Sequence, residues 1–255
     1  MKTYNEQLDE LFRKWKKEFE FAHFFHDGLM YRGEIKTENP YWRNSGNEDE
    51  LWEEAPKRVM FLMKDVNAGG DGLDIDNDIR GRIFRNASSR TYQNMVYWLY
   101  GLLKTMESGQ VPNFTFSDSE AKHFFDDTPV AYVNCKKEAG TSSVSNSTLN
   151  YYIERDKKFI IEEIEILNPD IIVCCAWAES SGNPIFEFVG ENVYQDIEQV
   201  NSWMYYSKEK KKLIIDSYHP ATRKSNDTEI YNNMMADFKE FLDEYPDFLK
   251  SCRNT

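Results

Sequence analysis

The sequence predicts an α/β protein in which a parallel sheet is covered by helices on both faces. Four short apolar runs rich in β-branched residues are each bounded by turn or polar residues, which is typical of buried strands. Segments with helical spacing lie between these runs. Because strands that alternate with helices are joined by right-handed crossovers, we expect the four strands to pair in parallel.

The predicted elements follow one another along the whole chain. An amphipathic helix comes first, because MKTYNEQLDELFRKWKKEFEF alternates charged and apolar residues. The predicted strands are RVMFLM (Arg58 to Met63), VAYVN (Val130 to Asn134), DIIVCCA (Asp170 to Ala176) and KLIIDSY (Lys212 to Tyr218). The predicted helices begin at Thr91 in TYQNMVYWLYGLLKTM and at Thr148 in TLNYYIERDKKFIIEEIEIL, form late in WAESSGNPIFEFVG, and run from about Asp227 to Tyr245.

The chain is expected to form one domain over residues 1–255. No stretch has the sustained Pro, Gly or Ser bias of a flexible linker, and no segment repeats at a fixed period. Residues 1–57 are expected to be an N-terminal helical extension. Residues 70–90 are expected to be an insertion that acts as a lid, because glycines precede it and charges of both signs crowd it.

The composition favours a cytoplasmic protein. No apolar run is long enough to cross a bilayer, so we expect no membrane partner. The cysteines do not form a disulfide framework, because Cys174 and Cys175 are adjacent and would point to opposite faces of a strand. The net charge of −13 disfavours a protein that grips long nucleic acid through a general positive field, but it leaves room for a local basic patch. The sequence does not indicate the oligomeric state.

The residues that follow the predicted strands are the candidates for a functional site. In a parallel sheet, ligands bind beyond the carboxyl ends of the strands, near the point where the strand order reverses. We therefore expect an acid, an amide, an aromatic ring and an imidazole to line one crevice, with lysines beside them. These residues are Lys64, Asp65, Val66, Asn67, Asn134, Cys135, Lys136, Lys137, Ala176, Trp177, His219, Pro220 and Ala221.

Three of these residues carry chemistry, and each has a structural alternative. Asp65 is a candidate general base, but it also suits a partner for Lys64 or a plain strand end. The amide of Asn134 both donates and accepts, which suits the edge of a nucleobase, although it also suits a cap for the next loop. His219 directly follows a buried strand in DSYHPATR, where it is either a functional imidazole or a structural one.

Other motifs are weak. NAGGDG after the first strand fits neither dinucleotide-binding nor P-loop spacing, and a surface turn is the simpler interpretation. DIDND (Asp74 to Asp78) resembles a calcium loop but has Ile79 and Arg85 where that loop needs glycine and glutamate, so it predicts a solvated acidic loop. We therefore expect neither a metal nor another cofactor.

The strand-end motifs MKDVN, VNCKKEAGTSS, EEIEILNPDIIVCCA and SYHPATR together resemble those of the uracil-DNA glycosylase superfamily. The resemblance covers about Arg58 to Arg223, and HPA and IEILNPDIIVCCA are its most specific parts. It implies a three-layer α/β/α sandwich with a central parallel four-stranded sheet and a pocket for an extruded base. The chain lacks the four spaced cysteines of the iron–sulfur members, so no cluster is expected.

The resemblance also implies roles for individual residues. Asp65 would position or activate water, Asn134 would read the edge of the base, and His219 would stabilise the anion of the departing base. Asn67 would also bind the substrate. Three basic residues would hold its phosphate, namely Lys64, Lys136 and Arg223.

The chain departs from the family pattern at two places. Met63, Val66 and Asn67 stand where a glycine, a proline and an aromatic residue surround the aspartate of the well-characterised enzymes. Arg223 stands where those enzymes carry a leucine wedge, which argues against insertion into duplex DNA. Together with the acidic charge, this favours a single-stranded or small nucleic acid, or a nucleotide-like ligand.

The expected function is hydrolysis of the N-glycosidic bond of a base in such a substrate. The alternative is a non-catalytic nucleotide- or nucleic-acid-binding module that keeps the glycosylase fold. A third interpretation, a hydrolase that uses Asp216 and His219 with a serine, is weaker because no G-x-S-x-G elbow exists to hold the nucleophile.

Overall fold

The structure is a computed structural model that describes residues 2–19, 24–67, 78–84, 89–113, 118–140, 144–179, 181–222 and 226–250. The α-helices are α1 (Tyr4–Phe19), α2 (Glu48–Glu54), α3 (Arg90–Ser108), α4 (Asp118–Asp127), α5 (Asn146–Leu167), α6 (Pro184–Asn192) and α7 (Asp227–Glu244). The strands are β1 (Gly28–Leu29), β2 (Ile35–Lys36), β3 (Asn39–Arg43), β4 (Val59–Asn67), β5 (Ala131–Gly140), β6 (Ile171–Trp177), β7 (Glu198–Gln199), β8 (Met204–Ser207) and β9 (Lys212–Tyr218). Two short 3-10 helices span Ile79–Gly81 and Pro246–Leu249.

The main sheet has seven strands in the order β1-β5-β4-β6-β9-β8-β7. The four predicted strands form its centre, and β5, β4, β6 and β9 pair in parallel as expected. The outer strands β1, β8 and β7 add in antiparallel fashion and were not predicted. The α/β class is therefore confirmed, and the sheet is larger than the sequence indicated.

The strand order reverses beside β4. The chain passes from β4 to its neighbour β5 on one side, and then returns to β6 on the other side. In open α/β sheets such a reversal leaves a crevice beyond the carboxyl ends of the strands. The carboxyl end of β4, at Lys64 to Asn67, lies at this point.

Helices cover both faces of the sheet. Along β4 the side chains alternate, so that Phe61 and Met63 pack into one buried cluster with residues of α3, α4 and α7. Met60 and Leu62 pack into a second cluster with residues of α1, α5 and α6. The same alternation puts Cys174 and Cys175 into opposite clusters, as the sequence predicted.

The N-terminal segment is more than a helical extension. Besides α1 and α2, residues 1–57 contain β1, which extends the main sheet beyond β5. They also contain the separate two-stranded sheet of β2 and β3. The first 57 residues therefore contribute to the sheet as well as to the helical layer.

Part of the predicted insertion is packed against the body of the protein. The side chain of Arg80 is buried and forms ion pairs with Asp78 and with Asp9 of α1. Asp78 also accepts a hydrogen bond from the hydroxyl of Tyr31 at 2.6 Å. The prediction of a solvated acidic loop is therefore wrong for Asp78. Residues 70–77 and 85–88 of the predicted lid lie outside the described residues.

Within the described ranges, no helix combines the length and the apolar character needed to cross a membrane.

Candidate functional site

The carboxyl end of β4 carries a lysine and an aspartate in succession. Asp65 pairs with Lys136 of β5, and the register between the two strands then shifts before Val66. This irregularity ends the regular ladder just where the strand order reverses. Lys64, Asp65 and Lys136 therefore lie inside β4 and β5 near their carboxyl ends, because both strands are longer than the sequence indicated.

The carboxylate of Asp65 is largely buried and has one unsatisfied oxygen. Among the described residues, its Oδ2 atom has no hydrogen-bond partner. The nearest cation is the Nζ atom of Lys136, 4.0 Å away. Burial raises the pKa of Asp65 above its ordinary value, and the charges of Lys136 and Lys64 oppose this rise. The group thus combines elevated basicity with a free acceptor atom.

Gly140 makes room for this carboxylate. A Cβ atom built on Gly140 would lie 1.8 Å from Oδ2 of Asp65, which no real side chain tolerates. Gly140 faces Asn67 across the two strands. The absence of a side chain at Gly140 therefore leaves the space that the Asp65 carboxylate occupies.

Lys64 points to the first turn of α5. Its Nζ atom donates a hydrogen bond of 3.2 Å to Oδ1 of Asn146, the first residue of that helix. The hydroxyl of Ser145 caps α5 by accepting a hydrogen bond from the backbone N–H of Thr148, which holds Asn146 in place. Burial lowers the pKa of Lys64 below its ordinary value. The sequence analysis missed Asn146, although the S-x-x-T spacing of the cap was visible.

His219 follows β9 and is a neutral imidazole. Its Nδ1 atom accepts a hydrogen bond of 3.1 Å from the backbone N–H of Ala221, so the proton of the neutral ring is on Nε2. Burial, and in addition the positive charge of Lys64, lowers the pKa of His219 to about 4. At neutral pH, His219 therefore presents a hydrogen-bond donor next to the lysine.

Asn134 is held by a residue that the sequence analysis did not identify. Both the backbone N–H and the Nδ2 atom of Asn134 donate to Oδ2 of Asp27, at 2.8 and 2.9 Å. The side chain of Asn134 is fully buried, and its Oδ1 atom has no hydrogen-bond partner in the described part of the chain. The amide is thus oriented by Asp27, with only its oxygen left unpaired.

Asp27 belongs to a buried charged cluster. Its Oδ1 atom forms an ion pair with Lys137, whose Nζ atom also lies 2.7 Å from Oε2 of Glu163. Asp27, Lys137 and Glu163 are all fully buried. Burial raises the pKa of Glu163, and the positive charge of Lys137 opposes this rise. Lys137, one of the lysines expected beside the crevice, is therefore an internal partner for two acids.

An aromatic and basic surface adjoins Lys136. The Nζ atom of Lys136 lies 5.0 Å from the ring centroid of Tyr152, and the guanidinium carbon of Arg155 lies 4.6 Å from the same centroid. The ring of Tyr151 is 5.4 Å from that of Tyr152 and is 63 % exposed. We call these four residues of β5 and α5 the Tyr152 surface.

Two predicted site residues are less informative. Asn67 is the last residue of β4, and its backbone pairs with Gly140. Arg223 lies outside the described residues.

No protein-family model matches the sequence, and no curated protein matches it. In the part of the chain that the structure describes, no three His, Cys, Asp or Glu side chains are grouped as a metal site. The functional interpretation therefore rests on the strand-end side chains and their partners.

Proposed function

We propose that this protein hydrolyses the N-glycosidic bond of a base in single-stranded nucleic acid or in a nucleotide-like ligand. The observation that carries the proposal is the Oδ2 atom of Asp65, a buried carboxylate oxygen without a hydrogen-bond partner among the described residues. It lies where the strand order of the sheet reverses, which is where α/β proteins bind their ligands.

Asp65 orients the attacking water in this proposal. Hydrolysis at the anomeric carbon needs a water molecule on the face of the sugar opposite the base, and a carboxylate is a suitable acceptor for its proton. The rise in the pKa of Asp65 increases its basicity relative to an ordinary aspartate. The positive charges of Lys136 and Lys64 oppose that rise and so favour the ionised form of the carboxylate.

His219 stabilises the base as it leaves. When the glycosidic bond breaks, its electron pair goes to the base, and negative charge develops there. A neutral imidazole with its proton on Nε2 donates a hydrogen bond to that charge without giving up the proton. The contact between Nδ1 and the backbone of Ala221 fixes this donor before substrate binds.

Lys64, Lys136 and the Tyr152 surface bind the rest of the substrate. Exposed aromatic rings beside cations are the elements that hold single strands, because bases stack on the rings while phosphates pair with the cations. Tyr151 supplies the most exposed ring of this surface, while the cations beside Tyr152 are less accessible, since Lys136 is 6 % exposed and Arg155 is ion-paired with Asp156 and Glu138. The net charge of −13 suits a short contact with a single strand better than a long contact with duplex DNA.

The fold supports the same proposal in general terms. Four parallel strands with helices on both faces suit the three-layer sandwich of the uracil-DNA glycosylase superfamily, and we propose that relationship for this chain. Under this proposal the protein acts in the cytoplasm. The reaction needs no metal, because water, a carboxylate and an imidazole suffice for it.

A second function is favoured by one specific observation. Asn134, which would read the base, is fully buried and donates its amide hydrogen to Asp27. A side chain in that state contacts no base unless the surrounding residues move. This arrangement favours a binding module that keeps the strand-end groups but has no turnover.

Base release separates the two functions. Single-stranded oligonucleotides with uracil, hypoxanthine or xanthine are incubated with the protein, and the free base is measured by chromatography. Release above the background without protein supports the glycosylase. Saturable binding of the same oligonucleotides without release of any base supports the binding module.

A further inference from the structure

Two lysines at the same edge of the sheet have different partners. Lys136 lies 4.0 Å from the carboxylate of Asp65 and donates to the backbone carbonyl of Glu138 at 2.9 Å. Lys64 donates instead to a neutral amide oxygen, Oδ1 of Asn146. Among the described residues, no carboxylate lies within ion-pair distance of Lys64. A cation held by an amide is stabilised less than one held by an acid.

The place of Lys64 suits a nucleophile. Its side chain is half-buried near the carboxyl end of β4, where the strand order reverses, and its Nζ atom is held by the amide of Asn146. Lysine amines become reactive towards carbonyl groups when burial increases the neutral fraction of the amine. Burial acts in this direction on the pKa of Lys64, and the charge of Asp65 opposes it.

We propose that Lys64 forms an imine with the C1′ aldehyde of an abasic deoxyribose in single-stranded DNA. This inference rests on the proposed function, because hydrolysis of the glycosidic bond leaves that aldehyde beside Asp65. It goes beyond hydrolysis, since it gives the protein a second activity on its own product.

The chemistry needs no added oxidant or reductant. The neutral amine of Lys64 adds through its lone pair to C1′ of the open-chain sugar. The two hydrogens of the amine leave with the aldehyde oxygen as water, and a C=N bond replaces the C=O bond.

The imine makes the C2′ hydrogen acidic. When water takes this proton, the electron pair of the C2′–H bond forms a C2′=C3′ bond. The C3′–O bond then breaks, and the 3′ phosphate leaves with its electron pair, so the strand is cut. Water hydrolyses the imine and restores Lys64.

Trapping with cyanoborohydride tests the proposal. The probe is a single-stranded oligonucleotide with one synthetic abasic aldehyde, so that no base release is needed. The imine nitrogen takes a proton from water, hydride from the reagent adds to the imine carbon, and the stable secondary amine that results is seen as a covalent protein–DNA band. Peptide mass spectrometry then locates the modified lysine in the wild-type protein. An oligonucleotide with tetrahydrofuran at the same position has no aldehyde and serves as the blank.

Two variants sharpen the assay. Lys64→Arg keeps a cation for phosphate but cannot form the imine, so we expect the trapped band to fall at least about tenfold. Lys212→Arg is the matched control, because Lys212 is also partly buried but lies at the start of β9, 3.8 Å from Asp170. Its band should match that of the wild type. Thermal unfolding establishes that both variants are folded.

The outcomes are distinct. Modification at Lys64 in the wild type, with the band lost in Lys64→Arg and kept in Lys212→Arg, supports the inference. No band, or a band spread over other lysines and unchanged in Lys64→Arg, overturns it. Base release without trapping contradicts this inference alone. Trapping at Lys64 without base release from any substrate contradicts the proposed hydrolysis instead.

Discussion

The Oδ2 atom of Asp65 lies 4.0 Å from the Nζ atom of Lys136. This separation is longer than a hydrogen bond, so the lysine favours the ionised carboxylate without occupying the lone pairs of Oδ2. Oδ2 is buried and has no hydrogen-bond partner in the described ranges, so a water molecule that entered beside it would meet an unoccupied acceptor. The proposed hydrolysis depends on this combination of a nearby charge and an unoccupied acceptor.

Replacing Gly140 with alanine should displace Asp65. The new Cβ atom would lie 1.8 Å from Oδ2, so the carboxylate has to move. We expect the rate of base release to fall by about 100-fold, as happens when a catalytic group shifts by about 1 Å. The measurement is single-turnover base release. The control is Gly190→Ala in α6, whose Cβ would meet only the flexible end of Ile197 at 3.1 Å. Equal rates in both variants would contradict this placement.

His219 should make the protein sensitive to acid. Its pKa is about 4 in the folded state and 6.5 in an ordinary environment. As the pH is lowered, this histidine takes up a proton at a higher pH in the unfolded chain than in the folded protein. The free energy of unfolding therefore falls between about pH 6.5 and pH 4. A shift of this size corresponds to at most about 3 kcal/mol. His219→Asn should lose less stability over this range in urea titrations. Parallel curves for the two proteins would show that His219 is not buried as a neutral ring.

Tyr151 should contribute to binding of single strands. Stacking of one base on an aromatic ring is worth about 1–3 kcal/mol, so Tyr151→Ala should weaken binding by about 5- to 150-fold. The assay is fluorescence anisotropy with a labelled oligonucleotide at fixed salt. Tyr41→Ala is the control, since Tyr41 is similarly exposed at 57 % but lies on β3. A larger loss for Tyr41 than for Tyr151 would place the binding surface elsewhere.

Lys137 should be important for stability. Its replacement by methionine leaves Asp27 and Glu163 fully buried without their cation. Loss of one partner from a buried ion pair costs about 3–5 kcal/mol, which should appear in the midpoint of urea unfolding. The double variant Lys137→Met with Glu163→Gln should regain part of this loss, because it removes one of the two acids. A single variant as stable as the wild type would contradict this role of Lys137.

The central strands were predictable because they are buried on both faces. A run such as IIVCCA in β6 is apolar at every position, and only a covered parallel strand tolerates this. The edge strands were not predictable. β1 has two residues and β8 has four, too few to establish a period, and β1 also depends on pairing with the distant strand β5.

The candidate site was predictable only in part. Asp65 and Lys64 lie at a strand end, which the local pattern indicates. The environment of Asn134 was not predictable, because Asp27 is 107 residues away in the chain and reaches Asn134 only through the fold. The same holds for the pairing of Lys137 with Glu163, since α5 has to pack on β5 before the two meet.

Base release by the wild type, Asp65→Asn and His219→Ala tests the central claim most directly. The substrates are single-stranded oligonucleotides with uracil, hypoxanthine or xanthine, and circular dichroism establishes that both variants are folded. We predict release by the wild type and a fall of about 100- to 10,000-fold in Asp65→Asn, the usual contribution of a positioned acid or base. His219→Ala should also be slow, because the leaving anion loses its donor. Wild-type release that is unchanged in Asp65→Asn, or no release from any substrate, would contradict the account.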